Sequence, residues 1–181
     1  MQANPNGYHW TRRITALYHE AARRYAGGER DADALFSPEA TAELAAIGAT
    51  PIELYDYVED ADDLDWETAL LIIALRRDYF LNVQNGEFSS KRLTRDDFPA
   101  KSAELGGIPW LPRLIMKALC RLRGELPRDT MYGCGGDRAF CREHDIHPAD
   151  FLRFTWQVEG DEAAILEYVR RRSAVLSGPR Y

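Results

Sequence analysis

The chain has 181 residues, a length that suits one ordinary domain or two small, closely packed lobes. Its 23 lysines and arginines against 29 aspartates and glutamates give a net charge of -6, which disfavours general binding to nucleic acid or anionic membranes. Three cysteines without a disulfide-like spacing suit a reducing compartment, and the first residues lack the apolar core of a signal peptide. We therefore expect a soluble, cytoplasmic protein with no nucleic-acid or membrane partner.

The first part of the chain has the pattern of capped helices. Apolar residues recur at helical spacing over 10–25, with Thr11 as the predicted N-cap and Gly27-Gly28 as the stop. Ser37-Pro38 and Thr50-Pro51 each place a capping residue before a proline that suits the first helical position. This pattern predicts two further short helices.

A longer apolar helix is predicted over 66–83. It follows the acidic stretch Glu59–Asp65, whose last carboxylate is a suitable N-cap and opposes the positive end of the helix dipole. Its apolar run, Ala69–Leu75, is too short to cross a bilayer. Because this run has no polar face, we expect the helix to be continuous, largely buried and central to the first half.

The second half also has helical periodicity, after an irregular segment at 87–107 that we interpret as a linker. Within that segment, Thr94–Asp97 has the pattern of a capped single turn. The later helices are predicted to begin near Pro109 or Pro112, at Asp137, at His147-Pro148 and at Asp161; the first of them ends at Gly124, and the last ends before Gly178-Pro179.

These patterns predict an all-α fold with two helical lobes, at 8–86 and 108–176, packed around one core. No segment alternates long enough to predict a strand. The two halves also show similar features in the same order, which suggests a remote internal duplication. The alternative is that any two runs of short capped helices resemble each other.

A row of three cations lies on the helix predicted before Gly124. Arg113, Lys117 and Arg121 recur every four residues, beside the apolar stripe of that helix. Neighbouring cations repel each other unless water, an acidic partner or a bound anion screens them. The row is interpreted either as a solvent-exposed face or as an anion-binding row at the mouth of a cleft. In both cases we expect Lys117 to lie off the core stripe.

The segment Tyr132–Asp137 has three glycines in four positions before a predicted helix. Such a loop permits the close approach of a ligand, or simply makes a tight turn. It lacks the Gly-Lys-Ser/Thr ending of a phosphate-binding loop. Cys134 lies near the start of this helix, where it would become a nucleophile if His144 or His147 came within hydrogen-bond reach.

A small zinc site is a third interpretation of the same region. Cys134, Cys141, His144 and His147 are zinc-ligand types within a short span, but they lack the close Cys-x2-Cys pair of a zinc knuckle. We expect Cys141 to face the core as a small apolar residue. We therefore expect no bound metal and no cofactor.

The segment from about Phe98 to Arg172 resembles the bacterial family catalogued as domain of unknown function 5069. The resemblance is carried by Leu105-Gly106-Gly107, by Leu111-Pro112-Arg113 with Lys117, by the Tyr132-x-Cys134 element before Asp137, and by Ile146, Pro148 and Phe151. The family has no assigned activity, and the carboxylate that often precedes its lysine is Met116 here. The resemblance draws attention to five polar positions, while Cys141, His144 and His147 lie outside its pattern.

From these observations we hypothesise that a small anionic ligand binds between the basic row and the glycine loop, and the sequence leaves open whether the protein is an enzyme. The predicted site residues are Arg113, Lys117, Tyr132, Cys134 and Asp137. The alternative is a non-catalytic interaction module or homodimer. The two differ in whether Arg113, Lys117 and Asp137 line a concave pocket or merely pair with one another on the surface.

Overall fold

The computed structural model describes residues 6–176 and confirms the all-α prediction. The helices are α1 (Trp10–Ala26), α2 (Pro38–Ala46), α3 (Pro51–Glu59), α4 (Trp66–Asn82), α5 (Leu111–Arg123), α6 (Gly135–Glu143), α7 (Pro148–Gln157) and α8 (Glu162–Leu176). The predicted stop at Gly178-Pro179 lies outside the described residues. Within these residues, no helix combines the length and the apolar character needed to cross a membrane.

The chain forms two compact units, which meet in sequence at the bond between Ser90 and Lys91. This boundary falls inside the segment predicted as a linker. From Phe98 onward, however, the predicted linker packs into the second unit, because the buried Phe98 ring lies under the guanidinium of Arg113. Arg113 also donates a hydrogen bond to the carbonyl of Pro99, at 2.7 Å.

In the first unit, α1 packs against α3 and begins one residue earlier than its predicted N-cap. The N-cap position is His9, not Thr11, because the amide of Trp10 already donates to the carbonyl of Gly7, at 3.0 Å. The predicted capping roles are confirmed for Ser37, whose hydroxyl accepts from the third amide of α2. They are also confirmed for Asp65, which caps α4 in the same way.

Helix α4 is continuous and largely buried, as predicted. Ile72 and Ile73 are almost fully enclosed. Leu71, which directly precedes Ile72, is nevertheless 45% exposed. The apolar run therefore leaves one side of α4 open to solvent, and its burial is asymmetric.

The second unit contains a short hairpin that the sequence did not predict. Strands β1 (Glu104–Leu105) and β2 (Ile108–Pro109) pair antiparallel around Gly106-Gly107. Both glycines have positive φ, which lets two residues turn the chain. The strands are too short for alternation to be visible in the sequence. The hairpin leads directly into α5, which packs against β1 and α7.

The two units repeat one order of helices: long, short, short, long. Helix α6 has the same nine-residue length as α2 and begins 97 residues after it. Gly27 directly follows α1 and Gly124 directly follows α5, and these two glycines are also 97 residues apart. The buried residues of α1, which are Ile14, Tyr18 and Ala21, correspond at that spacing to Leu111, Ile115 and Ala118 of α5, which are also buried.

An arginine contact is repeated as well. After the second helix of each unit the chain passes through positive φ, at Gly48 (φ 72°) and at Asp145 (φ 51°). An arginine of the fourth helix donates to the carbonyl of that residue, Arg76 to Gly48 at 2.8 Å and Arg172 to Asp145 at 2.6 Å, although these two arginines are 96 and not 97 residues apart. These matches support the predicted internal duplication. Positions separated by 97 residues are called equivalent below.

Candidate functional site

The row of cations on α5 is buried, and its interpretation as a solvent-exposed face is wrong. Arg113, Lys117 and Arg121 are all enclosed. The expectation that Lys117 lies off the core stripe is also wrong, because its side chain is only 2% exposed. The physical reason is that α5 is covered on several sides, by α7 and by β1 among others, so that its polar row faces protein.

Lys117 forms a buried ion pair with Asp137 of α6. The Lys117 ammonium donates to Oδ2 of Asp137, whose side chain is 1% exposed. A buried charge is tolerated only when a partner compensates it and hydrogen bonds satisfy its remaining groups. The pair therefore fixes α6 against α5 and accounts for the burial of both side chains.

Two further donors complete the environment of the Asp137 carboxylate. The amide of Gly133 donates to Oδ2 and the indole Nε1 of Trp110 donates to Oδ1, each at 2.9 Å. The prediction that this helix begins at Asp137 is wrong, because Asp137 is the third residue of α6. The helix begins two residues earlier, at Gly135, because the carboxylate reaches back to an amide that precedes the helix.

Cys134 occupies the N-cap position of α6, and its sulfur lies 3.1 Å from Nζ of Lys117. Its side chain is half-buried and makes no capping hydrogen bond. The first amides of a helix have no intrahelical acceptor. Among the described residues, the amides of Gly135 and Gly136 donate to no other group either. The start of α6 thus brings together the Cys134 thiol, the Lys117 ammonium and the unused amides of Gly135 and Gly136. Gly135 is exposed to solvent.

Arg138 adds a second cation at this place. Its guanidinium is buried and donates to the carbonyl of Gly133, at 2.8 Å. Another of its nitrogens lies 3.8 Å from where a Cβ of Gly135 would be. Two cations, Lys117 and Arg138, therefore lie close to Cys134.

The structure brings three of the five predicted site residues together, namely Lys117, Cys134 and Asp137. The other two have different partners. The hydroxyl of Tyr132 donates to the carbonyl of Pro148, at 2.7 Å, and ties the loop to the start of α7. Arg113 donates to Pro99, as described above. Tyr132 and Arg113 therefore support the site from outside it.

Trp110 was missed from the sequence, although it closes one side of the site. Its backbone has φ 68°, which is uncommon for a bulky residue, and its ring covers Gly136 so closely that a Cβ there would overlap it. The paired glycines at 135–136 did indicate a close approach. The approaching group, however, lies 26 residues away in sequence, and no local pattern identifies it.

The remaining cysteines and histidines have structural roles. Cys120 and Cys141 are buried, which confirms the expectation for Cys141, and burial raises the pKa of their thiols to about 11 and about 12 respectively. His144 Nδ1 lies 2.7 Å from the Ser173 hydroxyl, and His147 caps α7 through the amide of Ala149. Within residues 6–176, no three Cys, His, Asp or Glu side chains are grouped to hold a metal ion.

The equivalent place in the first unit is a cavity. It has a volume of about 170 Å³ and lies between α1, the segment 35–37 and α2. Glu20, Ser37 and Ala40, which are equivalent to Lys117, Cys134 and Asp137, all line it. These three side chains of the first unit therefore border open space, whereas Lys117 contacts both Cys134 and Asp137.

Comparison of the chain with protein-family models, with curated proteins and with solved structures gives no match. The resemblance of segment 98–172 to domain of unknown function 5069 therefore stays a prediction. The residues around Cys134 are therefore the basis for the function proposed below.

Proposed function

We propose that the second unit binds a small anionic molecule at the N-terminus of α6 and that the Cys134 thiol is the group that reacts with it. The observation that carries this proposal is the 3.1 Å contact between Lys117 Nζ and Cys134 Sγ. A cysteine beside a cation at a helix N-terminus is in the type of environment in which reactive cysteines are found. Cys134 is also more accessible than Cys120 and Cys141, which are buried.

The charges around the thiol support an anionic ligand. Two cations, Lys117 and Arg138, lie beside the start of α6, and Lys117 is paired with Asp137. The partial positive charge of the α6 N-terminus adds to theirs. In this arrangement Arg138 is the second cation that binds the anionic ligand, a role that the sequence analysis predicts for Arg113.

The unused amides supply the second part of the chemistry. N–H groups that point towards a reacting centre stabilise the negative charge that develops on its oxygen. Gly135 and Gly136 are the first two residues of α6 and directly follow Cys134, and Gly135 is exposed. A carboxylate or a similar small anion with an electrophilic carbon suits the site best.

Two alkylating reagents of nearly the same shape test this proposal. Iodoacetate is an anion and iodoacetamide is neutral; with both, the sulfur forms a bond to carbon and iodide leaves. The ratio of their rate constants at Cys134, iodoacetate over iodoacetamide, is compared with the ratio for β-mercaptoethanol. We expect the Cys134 ratio to be about tenfold higher, which corresponds to about 1.4 kcal/mol and is close to one charge-assisted hydrogen bond.

The variant Arg138→Gln should remove that preference, since it deletes a cation next to the start of α6. Arg142→Gln, which changes an exposed arginine of the same helix, is the matched control and should retain it. A Cys134 ratio equal to that of β-mercaptoethanol would contradict the proposal of an anion site.

A further inference from the structure

We propose that Cys134 and Lys117 form a reversible covalent sulfur–nitrogen bond when the thiol is oxidised by a hydroperoxide. The inference rests on the proposed function in one respect, the reactivity of the Cys134 thiol. It goes beyond that function by assigning a modification site that consists of two side chains of the protein itself.

The geometry that supports the bond is the direct contact of sulfur and nitrogen. Lys117 Nζ lies 3.1 Å from Cys134 Sγ, with no other group between them. Lys117 is held in place by burial and by its ion pair with Asp137. Cys134, in contrast, is half-buried at the start of α6 beside exposed Gly135, and it is more accessible to a small oxidant than the two buried cysteines.

The first step oxidises the thiol. The sulfur attacks one oxygen of hydrogen peroxide, the O–O bond breaks, and the second oxygen leaves as water after taking up the thiol proton. The product is a sulfenic acid, which condenses readily with a nearby nucleophile. In this site the atom next to the sulfur is the nitrogen of Lys117.

The second step requires the lysine as a free amine, and Asp137 is the group that accepts its proton. The amine nitrogen then attacks the sulfur, the S–O bond breaks, and the departing hydroxide takes the second nitrogen proton and leaves as water. In sum, one thiol, one amine and one peroxide give one sulfenamide and two waters. Two equivalents of a small thiol reverse the reaction and leave as a disulfide.

The other cysteines provide an internal comparison. Cys120 and Cys141 are buried, and their raised pKa values keep them as thiols. Neither thiol forms a hydrogen bond to a lysine among the described residues. Hydrogen peroxide should therefore modify Cys134 first and leave Cys120 and Cys141 as free thiols.

The experiment treats the purified full chain with hydrogen peroxide and maps its tryptic peptides without reductant. Because trypsin does not cleave after a modified lysine, the expected product joins residues 114–121 to residues 129–138 and is lighter by two hydrogen atoms than the two peptides together. Dithiothreitol should separate them and restore cleavage after Lys117. Lys117→Arg should not form the product, whereas the control Lys101→Arg should form it as fully as the unchanged chain.

The peptide map of the unchanged chain decides the question even if Lys117→Arg fails to fold. Oxidation of Cys134 to sulfenic or sulfinic acid with Lys117 unmodified would overturn the inference and leave the proposed function intact. An absence of oxidation at Cys134 while iodoacetamide still labels it would overturn the inference in the same way. A Cys134 that reacts with neither reagent would overturn both.

Discussion

Lys117 and Asp137 lie on neighbouring helices, twenty residues apart in sequence, and form a buried ion pair beside the Cys134 thiol. The pair has two consequences. It places a cation next to sulfur, and it makes the start of α6 depend on α5. The stability of the second unit and the proposed reactivity of Cys134 therefore depend on the same two side chains.

Removing one partner of this pair should destabilise the second unit strongly. Lys117→Met leaves the Asp137 carboxylate buried without its cation, and we expect a loss of about 3–5 kcal/mol in the free energy of unfolding. The double variant Lys117→Met with Asp137→Leu should recover part of that loss, since the buried carboxylate is removed but the donors of Gly133 and Trp110 lose their acceptor. Urea unfolding measures both, with the exposed Lys101→Met as the control.

The two adjacent glycines of α6 should respond in opposite directions to alanine. Gly135→Ala meets only the end of Arg138, at 3.8 Å, and should stabilise the helix by up to about 1 kcal/mol because alanine favours helix formation. Gly136→Ala would overlap the Trp110 ring and should destabilise the unit and slow the labelling of Cys134. Thermal unfolding compares the two variants. A neutral Gly136→Ala would show that Trp110 does not hold the helix start.

The asymmetric burial of α4 gives a separate test in the first unit. Ile72→Ala or Ile73→Ala should cost about 2–5 kcal/mol, since each residue is almost fully enclosed and leaves a cavity. Leu71→Ala removes a similar side chain that is 45% exposed, and its cost should be much smaller. Equal losses at Leu71 and Ile72 in urea unfolding would contradict the described packing.

His144 should make stability depend on pH. Burial lowers the pKa of its imidazole below the ordinary value of about 6.5. Between the lowered pKa and about pH 6.5 the unfolded chain binds more protons at this position than the folded chain, so stability should fall as the pH falls through that window. Replacing His144 by Gln removes this contribution and should give a flatter profile of unfolding free energy against pH. An unchanged slope would mean that other groups cause the dependence.

The helices could be predicted because their signals are local. Ser37-Pro38, Asp65 and Gly124 each mark a helix end through a cap, a proline or a glycine within a few residues. Two helices, α1 and α6, begin earlier than predicted, and in both the reason lies outside the local capping pattern. The turn at Gly7 displaces the cap of α1, and the carboxylate of Asp137 reaches back across the start of α6.

The site could be predicted only in part. Spacing on α5 and the glycine loop identified Lys117, Cys134 and Asp137, but it could not show that the lysine faces protein and meets the carboxylate. Trp110 was missed because its contact with Gly136 depends on a positive φ and on tertiary packing, neither of which has a sequence pattern.

The reactivity of Cys134 towards neutral iodoacetamide, in the folded chain and in the urea-unfolded chain at about pH 7, tests the central claim most directly. Burial alone slows a thiol on folding, and Cys120 and Cys141 should show that slowing. If Lys117 and the start of α6 activate the sulfur, Cys134 should react faster in the folded chain than in the unfolded one. A folded Cys134 that reacts more slowly, as the two buried cysteines do, would contradict the account.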